Sequence, residues 1–388
     1  MLPELPPLDN ELANARLAKM GKEATDARLS AVVIGAGGFG SPTLSAVRQC
    51  PLLRLVGVGD RDPSVAARAG LEAQAPHFVD NRALLAQTRP DVAFVAAPPA
   101  AAVEIVSCCA ERGVHVWKEL PLARNLNEGV AIVRRMRQAG LKLVVGTQRR
   151  FAAGYRRAWE LRRRIGQVYL ARAHYLFNWG PNLGWRGDVA SAGGGALMEL
   201  GYHPIDLMLW MLGLPEAVYG MTAVAKLDPL PGEGPPRLHD TDDTAAALLR
   251  YGQGRMASVV ATRISGPVSE ELSLHGRLGS ITAGAQRCLL RDPDGNTRDR
   301  LEDDAAPAVV FARQVESFAR AVASGQEQYH CSGLENLRTL AVIEATYLSD
   351  RTAQPESPAR ALKTHDLTDE ECLELTPPDA TPPDATAR

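Results

Sequence analysis

The sequence predicts an α/β protein: an N-terminal Rossmann domain with a parallel sheet, then an α+β domain with a large open mixed or antiparallel sheet. Three observations carry this reading. The apolar run Ala31-Val32-Val33-Ile34 leads straight into Gly35-Ala36-Gly37-Gly38-Phe39-Gly40, a GxGxxG turn. A second apolar run, Leu55 to Gly59, ends at Asp60, twenty residues beyond Gly40, where a dinucleotide-binding unit carries its acidic residue. Strand-like and helix-like segments alternate to about Thr147 and then give way to strand-like runs in succession.

Taken in order, residues 1–28 are a polar extension in which Glu11 to Lys22 has helical character. Residues 29–150 are the dinucleotide-binding domain, with strands expected at Ala31–Ile34, Leu55–Gly59, Val92–Ala96, Val114–Trp117 and Leu143–Thr147. Helical stretches such as Ala101–Arg112 and Asn127–Gln138 separate them, so the sheet is parallel and covered on both faces. Residues 151–353 are the substrate and oligomerisation domain. They begin with a basic, exposed helix at Tyr155–Arg164 and a strand at Val168–Tyr175. A Gly/Trp loop, Asn178–Gly195, leads to an apolar helix from about Ala196 to Leu212. Strand-like runs follow at Ala217–Ala225, Thr244–Tyr251, Arg255–Thr262, Glu271–His275 and Ser280–Ala283, then helices at Ala312–Ser324 and Gly333–Arg351. Residues 354–388 form a C-terminal tail, partly disordered, with Thr376-Pro377-Pro378 and Thr381-Pro382-Pro383 near its end.

The bulk numbers narrow the function. At 388 residues and 45% hydrophobic, the chain has room for two packed domains. A formal net charge of -2 supplies no field to draw it to nucleic acid or to anionic lipid. Residues Met1 to Asn10 lack the pattern of a signal peptide, and the apolar stretch Leu207–Leu214 is too short to span a bilayer, so a cytoplasmic location is expected. Cys50, Cys108, Cys109, Cys288, Cys331 and Cys372 have no CxxC spacing and read as buried thiols; no metal site is expected.

In the glycine turn, Gly35 permits the tight bend, Gly37 lets the backbone approach a pyrophosphate, and Gly40 lets the helix pack close to the sheet. Gly38 and Phe39 complete the loop. Asp60 is placed to accept from the adenosine ribose hydroxyls and would repel a 2′-phosphate, which favours NAD(H). Arg61 could pair with that phosphate and keeps NADP(H) open.

From about Leu29 to Ala353 the chain resembles the glucose–fructose oxidoreductase / inositol dehydrogenase / rhizopine-catabolism (Gfo/Idh/MocA) family. The resemblance rests on Asp91–Pro98, Gly113–Ala123, Gly194–Asp206, Gly276–Ile281 and Leu337–Ala345 as well as on the glycines. It implies a Rossmann domain plus a domain whose open sheet serves oligomer contacts, with Ala97, Pro98, Glu119 and Gln148 at the cofactor. Family members typically carry Glu-Lys-Pro, the lysine beside the nicotinamide and the reacting hydroxyl; here the triplet is Glu119-Leu120-Pro121. The family's Asn after the strand-four proline, and a histidine shortly beyond, are here Pro99 and Ala102.

Glu199 stands where the family usually has Asp, and His203 matches its common catalytic histidine. Their spacing puts both on one helical face. His203 is placed to take a hydroxyl proton, with Glu199 orienting the imidazole or contacting substrate. Asp206 is the structural member of that run. Lys118 is the substitute the spacing offers for the missing lysine, because residues two apart in an extended segment point the same way. Further pocket candidates are Gln148, Arg150, Trp185 and Arg186, then Asn178 and Trp179.

The expected function is an NAD(P)-dependent oxidoreductase acting on a secondary alcohol or ketone of a sugar, cyclitol or related polar metabolite. The expected partners are that small polar metabolite and further copies of the chain, through the C-terminal domain sheet. A nucleotide-binding regulatory or scaffold protein and a redox-assisted lyase or hydrolase remain the alternatives. Leu120 favours the non-catalytic reading and the Glu199/His203 pair favours an enzyme.

Overall fold

The computed structural model describes residues 28–38, 40–225 and 239–376. The expected N-terminal helix at Glu11–Lys22 and the loop residue Phe39 lie outside the described residues.

The first half is a doubly wound unit. Strand β1 (Leu29–Ile34) is followed by α1 (Gly40–Gln49), β2 (Leu53–Gly59), α2 (Pro63–Ala73), β3 (His77–Phe78) and α3 (Asn81–Thr88). Then come β4 (Val92–Val95), α4 (Pro99–Glu111), β5 (His115–Lys118), α5 (Leu126–Gln138) and β6 (Leu143–Val145). The strand order is β3-β2-β1-β4-β5-β6, all parallel. Helices on both faces explain why β4 is buried at every position and reads as a continuous apolar run. Side-chain caps set the helix starts: Asp62 accepts from the amides of Ser64 and Val65 at α2, and Asn125 accepts from Glu128 at α5.

The second half is built on a longer sheet. Helix α6 (Ala153–Leu161) precedes β7 (Val168–Asn178), and α7 (Val189–Ala192), α8 (Ala196–Glu199) and α9 (Tyr202–Leu212) precede β8 (Ala217–Ala223). Strands β9 (Thr244–Arg250), β10 (Met256–Thr262), β11 (Ile264–Gly276), β12 (Gly279–Ala283), β13 (Arg287–Arg291) and β14 (Thr297–Glu302) complete it. The order is β14-β13-β12-β11-β7-β10-β9-β8, with β7 and β10 parallel and every other pair antiparallel, so the sheet is mixed. Helices α6, α8 and α9 pack on one face. The other face leaves Tyr219, Met221, Leu248 and Met256 exposed.

Two features of the chain's second half cross the expected boundaries. Helix α10 (Pro307–Ala323), inside the range assigned to the substrate domain, packs on the Rossmann sheet: Phe318 meets Phe94 edge-on at 5.7 Å and Phe311 meets Trp117 at 5.3 Å. Helix α11 (Gly333–Thr352) is buried nearly all round, wedged between α5 and β8, which joins the two halves in one core. The tail is folded through Thr376, because α12 (Pro358–Lys363) and α13 (Asp369–Cys372) bury Leu362 and Cys372 against α11. Its Pro-Pro stretches lie outside the described residues. All six cysteines are free and buried. No helix among the described residues is long and apolar enough to cross a membrane.

Candidate active site

A cavity of about 1020 Å³ runs along the carboxyl ends of the parallel strands and on to the second sheet. Its first wall comes from the turns after β1, β2, β4, β5 and β6, the place where an open parallel sheet binds ligands. Gly35, with φ at 86°, takes a bend closed to other residues; a Cβ there would also stand 2.7 Å from the Ala96 carbonyl oxygen. A Cβ on Gly40 would stand 1.7 Å from the Gly35 carbonyl oxygen, so this glycine lets α1 start against the turn.

The turn fits a dinucleotide. A Cβ at Gly37 would meet only Val65 Cγ1, at 3.8 Å, which leaves bare backbone at the cavity wall beside the α1 N-terminus. Asp60 Oδ2 accepts from the amides of Ala36 (2.8 Å) and Gly37 (3.3 Å), which places its carboxylate at the loop, with Arg61 beside it. Ala97, Pro98, Glu119 and Gln148 line the same wall, and Gln148 Oε1 is buried with no hydrogen-bond partner.

Glu119 follows β5 directly. Its amide extends the ladder by donating to the Val95 carbonyl at 2.8 Å, which fixes where the side chain leaves the sheet. Oε1 accepts from the Leu120 amide at 3.2 Å and Oε2 has no partner. Burial pushes this carboxyl up to about 7, against the Leu120 amide bond and the charges of Lys118 and Arg149 that lower it; Glu199 adds to the rise. Leu120 lines the cavity as an apolar side chain.

Lys118 does not reach the cavity. It is fully buried, and its Nζ donates to the carbonyl oxygens of Glu119 (2.9 Å) and Pro121. Burial pulls its pKa down to about 7. The expectation that it would share a face with Leu120 fails because β5 ends at Lys118 and the chain turns.

The opposite wall brings Glu199 and His203 together. Asp242 accepts from the amides of Gly195 (2.7 Å) and Leu197 (2.8 Å) and pins the start of α8, whose last residue is Glu199. Arg186 binds Glu199 and stacks on both Trp179 and Trp185 at 4.4 Å. Burial raises the Glu199 pKa against that partner. His203 Nδ1 has no hydrogen-bond partner. Burial and the Arg149 charge hold the His203 pKa well below its ordinary 6.5, so the ring is neutral.

Several residues change place relative to expectation. Arg150 is not at the cavity: it bridges Asp206 (2.6 Å) and Glu335 (2.6 Å) in the core. Asn178 also lies off the wall. Arg149 takes the position instead, held by Glu270 at 2.7 Å and by the Tyr175 hydroxyl at 3.2 Å. The chain enters a 3₁₀ turn at Gln148–Phe151, so strand-like alternation no longer applies there. Tyr175 and Phe177 were also missed. Their alternation with Trp179 along the end of β7, three aromatics two apart, was the signal available.

Known proteins share this fold. Residues 29–147 match the model of an oxidoreductase family with an NAD-binding Rossmann fold, and residues 155–282 match the GFO/IDH/MocA C-terminal domain. Levoglucosan dehydrogenase of Pseudarthrobacter phenanthrenivorans is 28% identical over 255 residues, 59% of this chain and 65% of that protein's length. Inositol 2-dehydrogenase of Rhizobium meliloti is 25% identical over 327 residues, 82% of this chain and 95% of that protein. A solved structure of a levoglucosan dehydrogenase in complex with NADH and levoglucosan superposes with a TM-score of 0.76 at 22% identity, covering 85% of this chain and 99% of that one. The chain belongs to the Gfo/Idh/MocA family of NAD(P)-binding oxidoreductases.

Proposed function

We propose that this family member is an NAD(P)-dependent dehydrogenase that interconverts a secondary alcohol and a ketone on a neutral sugar, cyclitol or related polar metabolite. One observation carries it: a single cavity joins the glycine turn to Glu119, Glu199 and His203. The relatives include proteins named for levoglucosan, D-xylose and inositol dehydrogenation, which supports that substrate class.

Residues of the turns hold the coenzyme: Gly37 and Gly38 at the pyrophosphate, Asp60 at the ribose, Ala97, Pro98 and Gln148 along the nicotinamide half. When bound, the nicotinamide takes up or returns a hydride. Asp60 favours NAD(H), since a 2′-phosphate would stand against its carboxylate.

The substrate end selects by shape and hydrogen bonding rather than by charge. Arg149 and Arg186, the arginines there, are each held by a carboxylate, Glu270 and Glu199. The aromatic wall of Tyr175, Phe177 and Trp179 suits the apolar face of a ring. The neutral His203 ring has one acceptor nitrogen to offer a hydroxyl, and Glu199 offers a second acceptor.

Incubation of the protein with NADH deuterated at its transferable position and a metabolite extract tests the reading. Deuterium is expected in an uncharged polyol, with NADH bound more tightly than NADPH in the same sample. Bound coenzyme with no deuterium transferred from a broad set of extracts would instead support a regulatory protein.

A further inference from the structure

We propose that Glu119 is the catalytic group that takes the proton from the substrate hydroxyl in oxidation and returns it in reduction. This assignment rests on the dehydrogenase reading and fills the gap left by Leu120, which stands where the family's lysine would act.

Of the buried polar atoms on cavity-lining residues that have no hydrogen-bond partner, Glu119 Oε2 and His203 Nδ1 belong to acid–base groups, whereas Gln148 Oε1 does not. They differ in what a proton does to them. A proton on His203 creates a buried cation beside Arg149, which burial and that neighbour both oppose. A proton on Glu119 removes a buried anion, and the same burial favours it. The carboxyl is therefore the resting place that costs least, and the imidazole serves as a neutral acceptor that orients the hydroxyl. The other acids of the cavity are engaged. Asp60 accepts from the glycine loop, Glu199 from Arg186, and Glu270 from Arg149 and Tyr155.

The charges facing Glu119 set its balance. Lys118 on β5 and Arg149 after β6 favour the ionised form, Glu199 at the end of α8 opposes it, and the carboxylate packs on the backbone of Gly146. It is thus poised near neutrality, the range in which a group both gives and takes a proton efficiently. In oxidation the substrate O–H bond breaks and an O–H bond forms on Glu119 Oε2. The electron pair left on oxygen becomes the second bond of the C=O as the C–H pair leaves as hydride to the oxidised nicotinamide. The alcohol loses two electrons and the coenzyme gains them.

Two readouts on the full-length chain test this, using Glu119→Gln and Glu119→Asp. In the coenzyme-free protein, infrared difference spectra should show a carboxylic acid that titrates near neutral pH in wild type and in Glu199→Gln but is absent in Glu119→Gln. In the reduction assay with deuterated NADH, the wild-type rate should fall as pH rises through about 7, because the protonated form is the donor. At saturating NADH, Glu119→Gln should lower that rate by about 100-fold and flatten the profile, with partial rescue by Glu119→Asp. A neutral-range carboxyl that persists in Glu119→Gln, or an unchanged rate profile, overturns the assignment. If Glu119→Gln does not fold, a wild-type rate that is flat across neutral pH overturns it equally. A wild type that transfers no deuterium sinks the dehydrogenase reading instead, and the infrared result still reports on Glu119 by itself.

Discussion

Lys118 and Leu120 show how much one residue of backbone geometry decides. From sequence alone, alternation along an extended segment offered Lys118 as the stand-in for the absent lysine. The strand stops at Lys118, and its ammonium turns inward to hold the carbonyls on either side of Leu120, so its part is to shape the turn that presents Glu119. Replacing Lys118 with methionine leaves two buried carbonyls without this donor, a loss of about 1 kcal/mol each, or about 2 kcal/mol together. The pH dependence has a defined sign. Folding lowers the Lys118 pKa from its ordinary 10.5 to about 7, so between those values the unfolded chain holds a proton that the folded chain has shed. Wild-type stability therefore gains on Lys118→Met as pH rises above about 7, and the gap is smallest at and below neutrality. Denaturant midpoints of both proteins from neutral to alkaline pH measure this, and a gap independent of pH would contradict the buried position. The same limit on legibility explains Arg149 and Arg150. Sequence placed an arginine after β6 at the cavity but could not see the 3₁₀ turn that exchanges the neighbours.

Elements were legible where local chemistry and burial agreed. Strands β1, β2 and β4 are apolar because helices cover both faces, and the glycine turn announces its own conformation. Strand β14, Thr-Arg-Asp-Arg-Leu-Glu, sits at a sheet edge with four of its six positions exposed, so its charges protect the edge and hide the strand from a hydrophobic search. In β11, Gly266-Pro267 reads as a break. The sheet absorbs it through a register shift between Ile264 and Ser269, and the strand is longer than the expected Glu271–His275. The glycine turn gives an element-level prediction from two neighbouring positions. Gly38 has φ at 49° with nothing within 4 Å of an added Cβ, so Gly38→Ala should cost about 1 kcal/mol, the price of a left-handed residue. Gly40→Ala drives a methyl into the Gly35 carbonyl and should cost about 3 kcal/mol, because α1 must move off β1. Thermal unfolding ranks the two, and NADH titration should show Gly40→Ala losing the coenzyme. Equal effects would mean that close approach of helix to turn is not what this glycine secures.

The whole molecule presents one feature its separate elements do not explain, the free face of the eight-stranded sheet. Neighbouring strands line up Tyr219 with Leu248 and Met221 with Ala246, and Ala246 with Val260, so the outward residues form a continuous apolar area rather than scattered positions. Met221 is 69% exposed, Leu248 61% and Met256 58%, while the inward residues of the same strands are core. A sheet with one face in water alternates apolar and polar residues, whereas the outward side of these strands is mostly apolar, with Arg250 and Ser258 among its polar positions. Such an area is covered by another surface in most soluble proteins. A second copy would supply a matching one, since two identical sheet faces can pack about a symmetry axis at the usual spacing of about 10 Å. The cavity opens elsewhere, between the turns of the first sheet and α8–α9, so association would leave it accessible. The chain should therefore sediment as a homo-oligomer. Leu248→Asp places a charge in the middle of the buried patch and should shift the protein to a smaller species while NADH binding is retained. A wild type that sediments as a monomer at micromolar concentration, or a Leu248→Asp protein of unchanged size, would show that a different partner covers this face or that water does.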